Sequence, residues 1–158
     1  MKEVGINPER RKALKTVGGA GLLGLLASIG LVQPGIALAE WQKTAFDAKT
    51  MGEALDALGA AIPENSAAIQ LSAPQIAENG AVVPITVNSS LARTERIAIL
   101  VDKNPNMLVA IFSIPEGTEG FITTRIKMAQ TSSVVVLVKA AGKFYRTSQE
   151  VKVTAGGC

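Results

Sequence analysis

The chain is 158 residues long, about one domain's worth, so a large multidomain enzyme is excluded. It contains no histidine and a single cysteine, Cys158, which removes Ser-His-Asp and Cys-His triads, structural zinc sites, c-type haem attachment and iron–sulfur clusters, and no cofactor is expected. The net charge of +3 sits entirely in residues 1–39, with five basic side chains against two acidic; the remainder carries eleven of each, so it has no basic stripe for phosphate and nucleic acid is not an expected partner.

Residues 1–39 have the three-part layout of a cleaved export signal: a basic stretch ending at Lys15, an apolar stretch from Val17 to Val32, and the small-residue exit Ala37-Leu38-Ala39. The apolar stretch is 16 residues long, contains five glycines and falls short of the roughly 20 residues that span a bilayer, so no permanent membrane anchor is expected. Arg10 and Arg11, followed by Leu14 and Lys15, resemble the twin-arginine signal. Glu9 and Ala13 depart from that pattern, and the general secretory route is the alternative. Either route predicts a periplasmic protein. The twin-arginine route carries folded cargo, which points to a partner subunit exported together with this chain.

The mature body is expected over residues 40–153. Thr50-Met51-Gly52-Glu53 reads as a capping box, with Met51, Leu55 and Leu58 on one face of a short helix that ends at Gly59 and Pro63. Beyond it the pattern changes to short β-rich runs: Ala67 to Leu71, Val82 to Val87, Arg96 to Val101, Met107 to Ile114, Phe121 to Met128, Ser133 to Lys139 and Lys143 to Val153. Val83, Ile85 and Val87 alternate on one face, as do Ile97, Ile99 and Val101, and Ile122, Ile126 and Met128. Asn79-Gly80, Asn104-Pro105-Asn106, Pro115-Glu116-Gly117 and Ala141-Gly142 supply the turns. The predicted fold is mainly β: an immunoglobulin-like antiparallel sandwich of about seven strands preceded by a short helix. Without βαβ alternation, a parallel sheet is disfavoured.

Asp102, Asn104 and Asn106 have the spacing of the first oxygen ligands of a calcium loop, but Met107 stands where that loop needs Gly and Ser113 where it needs Glu, so the segment reads as a hairpin turn with no metal. Glu116 and Glu119 are read as solvated charge.

The informative feature is the tail, residues 154–158, ending Gly156-Gly157-Cys158. A lone cysteine in an exported protein is free, paired with another chain or chemically loaded. After two glycines it stands on a thin, flexible arm, and from Val153 five residues reach about 17 Å when extended. Together, the signal, short helix, β-runs and Gly-Gly-Cys ending resemble SoxY, the sulfur carrier subunit of the bacterial thiosulfate-oxidising system. Members of that family usually end in Gly-Gly-Cys-Gly-Gly, whereas this sequence stops at Cys158. The resemblance implies a non-enzymatic carrier that holds thiosulfate-derived sulfur on Cys158, with Gly156 and Gly157 as its swinging arm. The implied partners are a SoxZ-like subunit in a heterodimer and the Sox enzymes, including the c-type cytochrome SoxAX and the hydrolase SoxB. Two rival readings belong to other classes: an exported structural or adhesion module dimerising through Cys158, and a thiol enzyme using Cys158 as its own nucleophile. The second lacks a histidine to activate the thiol.

Overall fold

The computed structural model describes residues 43–157. The proposed signal, with Arg10, Arg11, Ala37 and Ala39, lies outside the described residues, as does Cys158. Two short helices, α1 (Lys43–Asp47) and α2 (Met51–Ala57), precede nine strands: β1 (Glu64–Asn65), β2 (Ile69–Ser72), β3 (Ile76–Ala77), β4 (Val83–Ser89), β5 (Thr94–Val101), β6 (Leu108–Ser113), β7 (Gly120–Ile126), β8 (Ser132–Ala140) and β9 (Lys143–Val153). The mainly-β architecture of antiparallel strands with a short helix ahead of them is the one expected, and each of the seven predicted runs overlaps a strand.

The strands form two sheets, one ordered β1-β9-β8-β5-β6 with β3 also on β9, the other ordered β2-β4-β7. Between them lies a core of aliphatic side chains, including Val83, Ile85 and Val87 from β4, Ile97, Ile99 and Val101 from β5, and Val134, Val136 and Val138 from β8. The period of two along a strand sends alternate residues to this core. The opposite face of the larger sheet is covered too: Ala98, Leu100, Leu108 and Leu137 pack with Ala45, Ala54 and Leu58 of the helical segment. Burial on both faces explains why β5 and β8 read as near-continuous apolar runs.

The Thr50 side chain accepts from the Glu53 N–H, and the Glu53 carboxylate accepts from the Thr50 N–H, completing the expected capping box. Ala141 and Gly142, with φ of 48° and 76°, close the β8–β9 hairpin with both central residues in the left-handed region, as its two-residue turn requires.

Beside the antiparallel ladders are two short parallel pairs that the sequence reading did not anticipate. β1 runs parallel to β9, with Glu64 opposite Tyr145, and β3 does so with Ile76 opposite Lys152. A crossover helix is needed only where parallel partners follow each other in sequence. Here most of the sandwich intervenes between β3 and β9, so nothing constrains their relative direction.

Because Ile99 is fully buried, Ile99→Ala is expected to cost about 2–5 kcal/mol of unfolding free energy. Ile62, which is 91% exposed, should tolerate alanine within about 0.5 kcal/mol. Chemical denaturation of both variants checks the assignment of the core.

Candidate functional site

β9 is the longest strand and the one that delivers the tail, and its last residues are held from both sides. Ser132 of β8 pairs with Val151, while Ala77 of β3 pairs with Val153. The Thr131 hydroxyl accepts from the Val153 N–H at 2.9 Å. The chain then continues along the 77–80 segment: the Thr154 N–H donates to the Ala77 carbonyl at 3.1 Å, and the Thr154 hydroxyl donates to the Glu78 carbonyl at 3.0 Å.

Beyond Thr154 three main chains converge. The Gly80 N–H donates to the Ala155 carbonyl at 2.7 Å, the Gly157 N–H donates to the Met128 carbonyl at 3.0 Å, and the Met128 N–H donates to the Gly80 carbonyl at 2.7 Å. The tail is thus gripped on one side by Gly80 and on the other by Met128. Gly80 and Met128 are both buried.

Glycine is needed here for lack of bulk. None of Gly80, Gly156 and Gly157 has a φ in the left-handed range, so conformational freedom is not what selects them. A Cβ on Gly157 would clash with the backbone of Gly80 and Ala81, and one on Gly156 with the Ala129 carbonyl. A Cβ on Gly80 would clash with the Met128 carbonyl and lie 2.9 Å from both the Gly157 nitrogen and Val153 Cγ1. The thinness expected of the two tail glycines is matched by a third glycine across the slot.

The wall on the Met128 side has its own support. Asn104, 8% exposed, donates from Nδ2 to the Lys127 carbonyl at 2.8 Å and accepts at Oδ1 from the Ala129 N–H at 2.9 Å. Its carboxamide therefore spans Met128, bonding the residue on either side of it. Asp102 and Asn106, which share its spacing in sequence, are exposed. Asn106 Oδ1 accepts from Lys49 Nζ. The three side chains thus have different surroundings, and the turn expected at Asn104-Pro105-Asn106 contains a buried strut.

Glu116 and Glu119 line an open cavity of about 790 Å³ with Asn88, Arg93 and Glu95. It lies at the other end of the strands, where β4 ends and β5 and β7 begin. A hydrogen bond from the Gly142 N–H, and then one from Lys139, hold the Glu95 carboxyl below the usual carboxylate range. Among the described residues no group of His, Cys, Asp or Glu could hold a metal ion.

Gly80, Met128 and Asn104 were not legible as site residues. Asn79-Gly80 reads as a turn, and the Asn79 side chain does accept from the Ala81 N–H. The partners of these residues lie far along the chain, and no local pattern announces them.

Two substitutions separate the roles of the slot glycines. Gly157→Ala should release the tail, seen as faster amide exchange at Gly80, while thermal stability stays nearly constant because no core side chain is lost. Gly80→Ala should instead lower unfolding free energy by about 1–3 kcal/mol, the usual cost of overpacking an interior position.

A family model for the sulfur oxidation protein SoxY matches residues 54–158. Among solved structures, the chain is similar to the sulfur carrier protein SoxY from Chlorobium limicola f thiosulfatophilum, with 40% identity and a TM-score of 0.61 over 72% of this chain and 99% of that one. A weaker likeness, 14% identity and a TM-score of 0.48, is to a superoxide reductase (neelaredoxin) from Ignicoccus hospitalis, over 62% of this chain and 86% of that one. No curated protein matches. This chain belongs to the SoxY family.

Proposed function

We propose that this member of the SoxY family acts in the periplasm as a covalent platform for thiosulfate-derived sulfur, with Cys158 as the attachment site and the tail glycines as a releasable arm. The observation that carries the reading is the slot. The two residues before the single cysteine run through a passage that only glycine backbone fits, held by hydrogen bonds from main chain alone. A tail that merely ended the chain would have no use for such a fit.

The slot also suits an arm that must leave it. Two hydrogen bonds hold residues 155–157, and at the usual net value of about 0.5–1.5 kcal/mol each the docked form is favoured by about 1–3 kcal/mol. That leaves a released minority of the kind a binding partner can select. Once released, the four residues after Thr154 extend at most about 14 Å, enough to carry a thiol from the body into a neighbouring protein's cleft.

The chemistry follows from a thiol and thiosulfate. Loading joins Cys158 Sγ to the outer sulfur of thiosulfate, giving a cysteine S-thiosulfonate, one proton and two electrons. The electrons require an oxidant, and a c-type cytochrome such as SoxAX would accept them. Hydrolysis by an enzyme of the SoxB type would then add water across the sulfur–sulfonate bond, releasing sulfate and a proton and leaving a persulfide on Cys158. With no histidine in the sequence to activate the thiol, turnover is assigned to these partners and the chain itself is not an enzyme.

A SoxZ-like subunit is the proposed heterodimer partner. β6 and β7 are each the terminal strand of their sheet, and Phe121 on β7 is 54% exposed. Unpaired edges of this kind are where a second chain finds hydrogen-bonding groups already extended.

Intact-mass measurement of the protein from its host, incubated with thiosulfate and the partner oxidase, should show a thiosulfonate adduct that disappears in Cys158→Ser. An adduct surviving that substitution would falsify the carrier assignment, and a Cys158 disulfide homodimer in its place would favour the structural reading. N-terminal sequencing of periplasmic material should begin at Glu40; a chain that retains Arg10 and Arg11 refutes export with cleavage after Ala39.

A further inference from the structure

The clamp has a component with no place in the chemistry above. Met128 supplies both main-chain groups that face the slot: its N–H goes to Gly80 and its carbonyl receives Gly157. Yet Met128 lies beyond β7, which ends at Ile126, and before β8, which begins at Ser132. A connecting segment has no ladder on both sides to hold it and would ordinarily be among the looser parts of a sandwich.

What holds it is Asn104. Its carboxamide donates to Lys127 and accepts from Ala129, using the same pair of groups that a neighbouring strand would offer. The strut is rooted in turn. The Asn104 N–H donates to the Val101 carbonyl, the Asp102 N–H to the Ser133 carbonyl and the Lys103 N–H to the buried Ser132 hydroxyl. The strut thus ties the Met128 segment to the end of β5 and the start of β8, the two most buried strands.

We infer that Asn104 is a positioning residue for the sulfur-carrying arm: by pinning residues 127–129 it fixes the ledge on which Gly157 docks, and so sets how readily the arm that carries Cys158 is released to partner enzymes. The inference rests on the carrier reading for its functional consequence and on geometry alone for the clamp. Burial supplies the reason for the residue type. An apolar side chain at 104 would leave the Lys127 carbonyl and the Ala129 N–H without their partner, and aspartate would set a second acceptor against the Lys127 carbonyl.

The experiment has a structural readout and a functional one. In the full-length protein, Asn104→Ala should raise amide exchange at Gly157 and Met128 by about tenfold, the scale of one lost hydrogen bond, while amides of Ile99 and Val136 keep their protection. In partner-catalysed loading from thiosulfate, the same variant should lower KM for the carrier, by up to about tenfold, with kcat unchanged, because more of the arm is already released for the partner to take. The alkylation rate of Cys158 by a small reagent should not fall. If Asn104 acts through the clamp, adding Asn104→Ala to Gly157→Ala should lower KM no further than Gly157→Ala does alone. Unchanged exchange at Gly157 in Asn104→Ala, or fully additive KM effects, overturns the inference. Should Asn104→Ala fail to fold, native-state exchange of the wild-type protein decides the matter: the Asn104 side-chain amide and the Gly157 amide should open with the same denaturant dependence, and independent opening overturns it. A wild-type Cys158 that accepts no sulfur sinks the carrier reading, while the exchange data still judge the clamp.

Discussion

Gly80, Met128 and Gly157 bring three main chains within hydrogen-bonding distance of one another at a point where no side chain stands between them. Backbone groups can approach this closely only where Cβ atoms are absent or turned away, so the meeting specifies glycine in the tail and on the Gly80 wall of the slot. It also ties together parts of the sequence that are otherwise remote: the turn before β4, the segment after β7 and the residues after β9. The sandwich supplies rigid ends for all three, and the slot is the joint at which they meet. Destabilising any one end would move the others, because each of the three contributes a donor or an acceptor that the next one uses.

This arrangement divides the labour of the fold. β9 is long because it has two tasks. Along most of its length it pairs with β8 and closes the larger sheet. In its last residues it also pairs with β3, and that contact continues past the strand through Thr154 to Ala77 and Glu78. The tail therefore leaves the body from a strand end fixed on two sides. An arm of the kind proposed would sweep a defined volume from such an anchor, whereas one hanging from a single edge would inherit the fraying of that edge.

Much of the fold was legible because its signals are local. The alternation of Val83, Ile85 and Val87 follows from the strand period, and the Thr50–Glu53 box from helix capping; both are readable within a few residues. The misses share the opposite property. α1 and the two-residue strands β1 and β3 are too short to display a period, and the parallel direction of β1 and β3 depends on partners about eighty residues away. Asn104 looked like a turn residue because asparagine in a polar run usually is one. Only the return of residues 127–129 across it makes it a strut. The tail glycines show a middle case: their presence before Cys158 was informative, and flexibility suggested their use, but the slot that demands their thinness is built by Gly80 and Met128. A sequence shows that a residue is small; the fold shows what the smallness admits.

The strength of the clamp bears on how a carrier can serve several enzymes in turn. If docking is worth about 1–3 kcal/mol, a partner that binds only the released arm loses about 5- to 150-fold in apparent affinity. That loss is small enough to be offset by contacts with the cysteine and its cargo inside a cleft, and large enough to disfavour idle exposure of a loaded thiol. A much tighter latch would need each partner to expend its binding on opening it. A much looser one would leave the arm sampling solvent, where a thiol or persulfide meets oxidants. Two main-chain hydrogen bonds and a glycine fit fall between these limits, and because neither depends on a charged group, the latch should be insensitive to salt and to pH across the range in which the sandwich is folded.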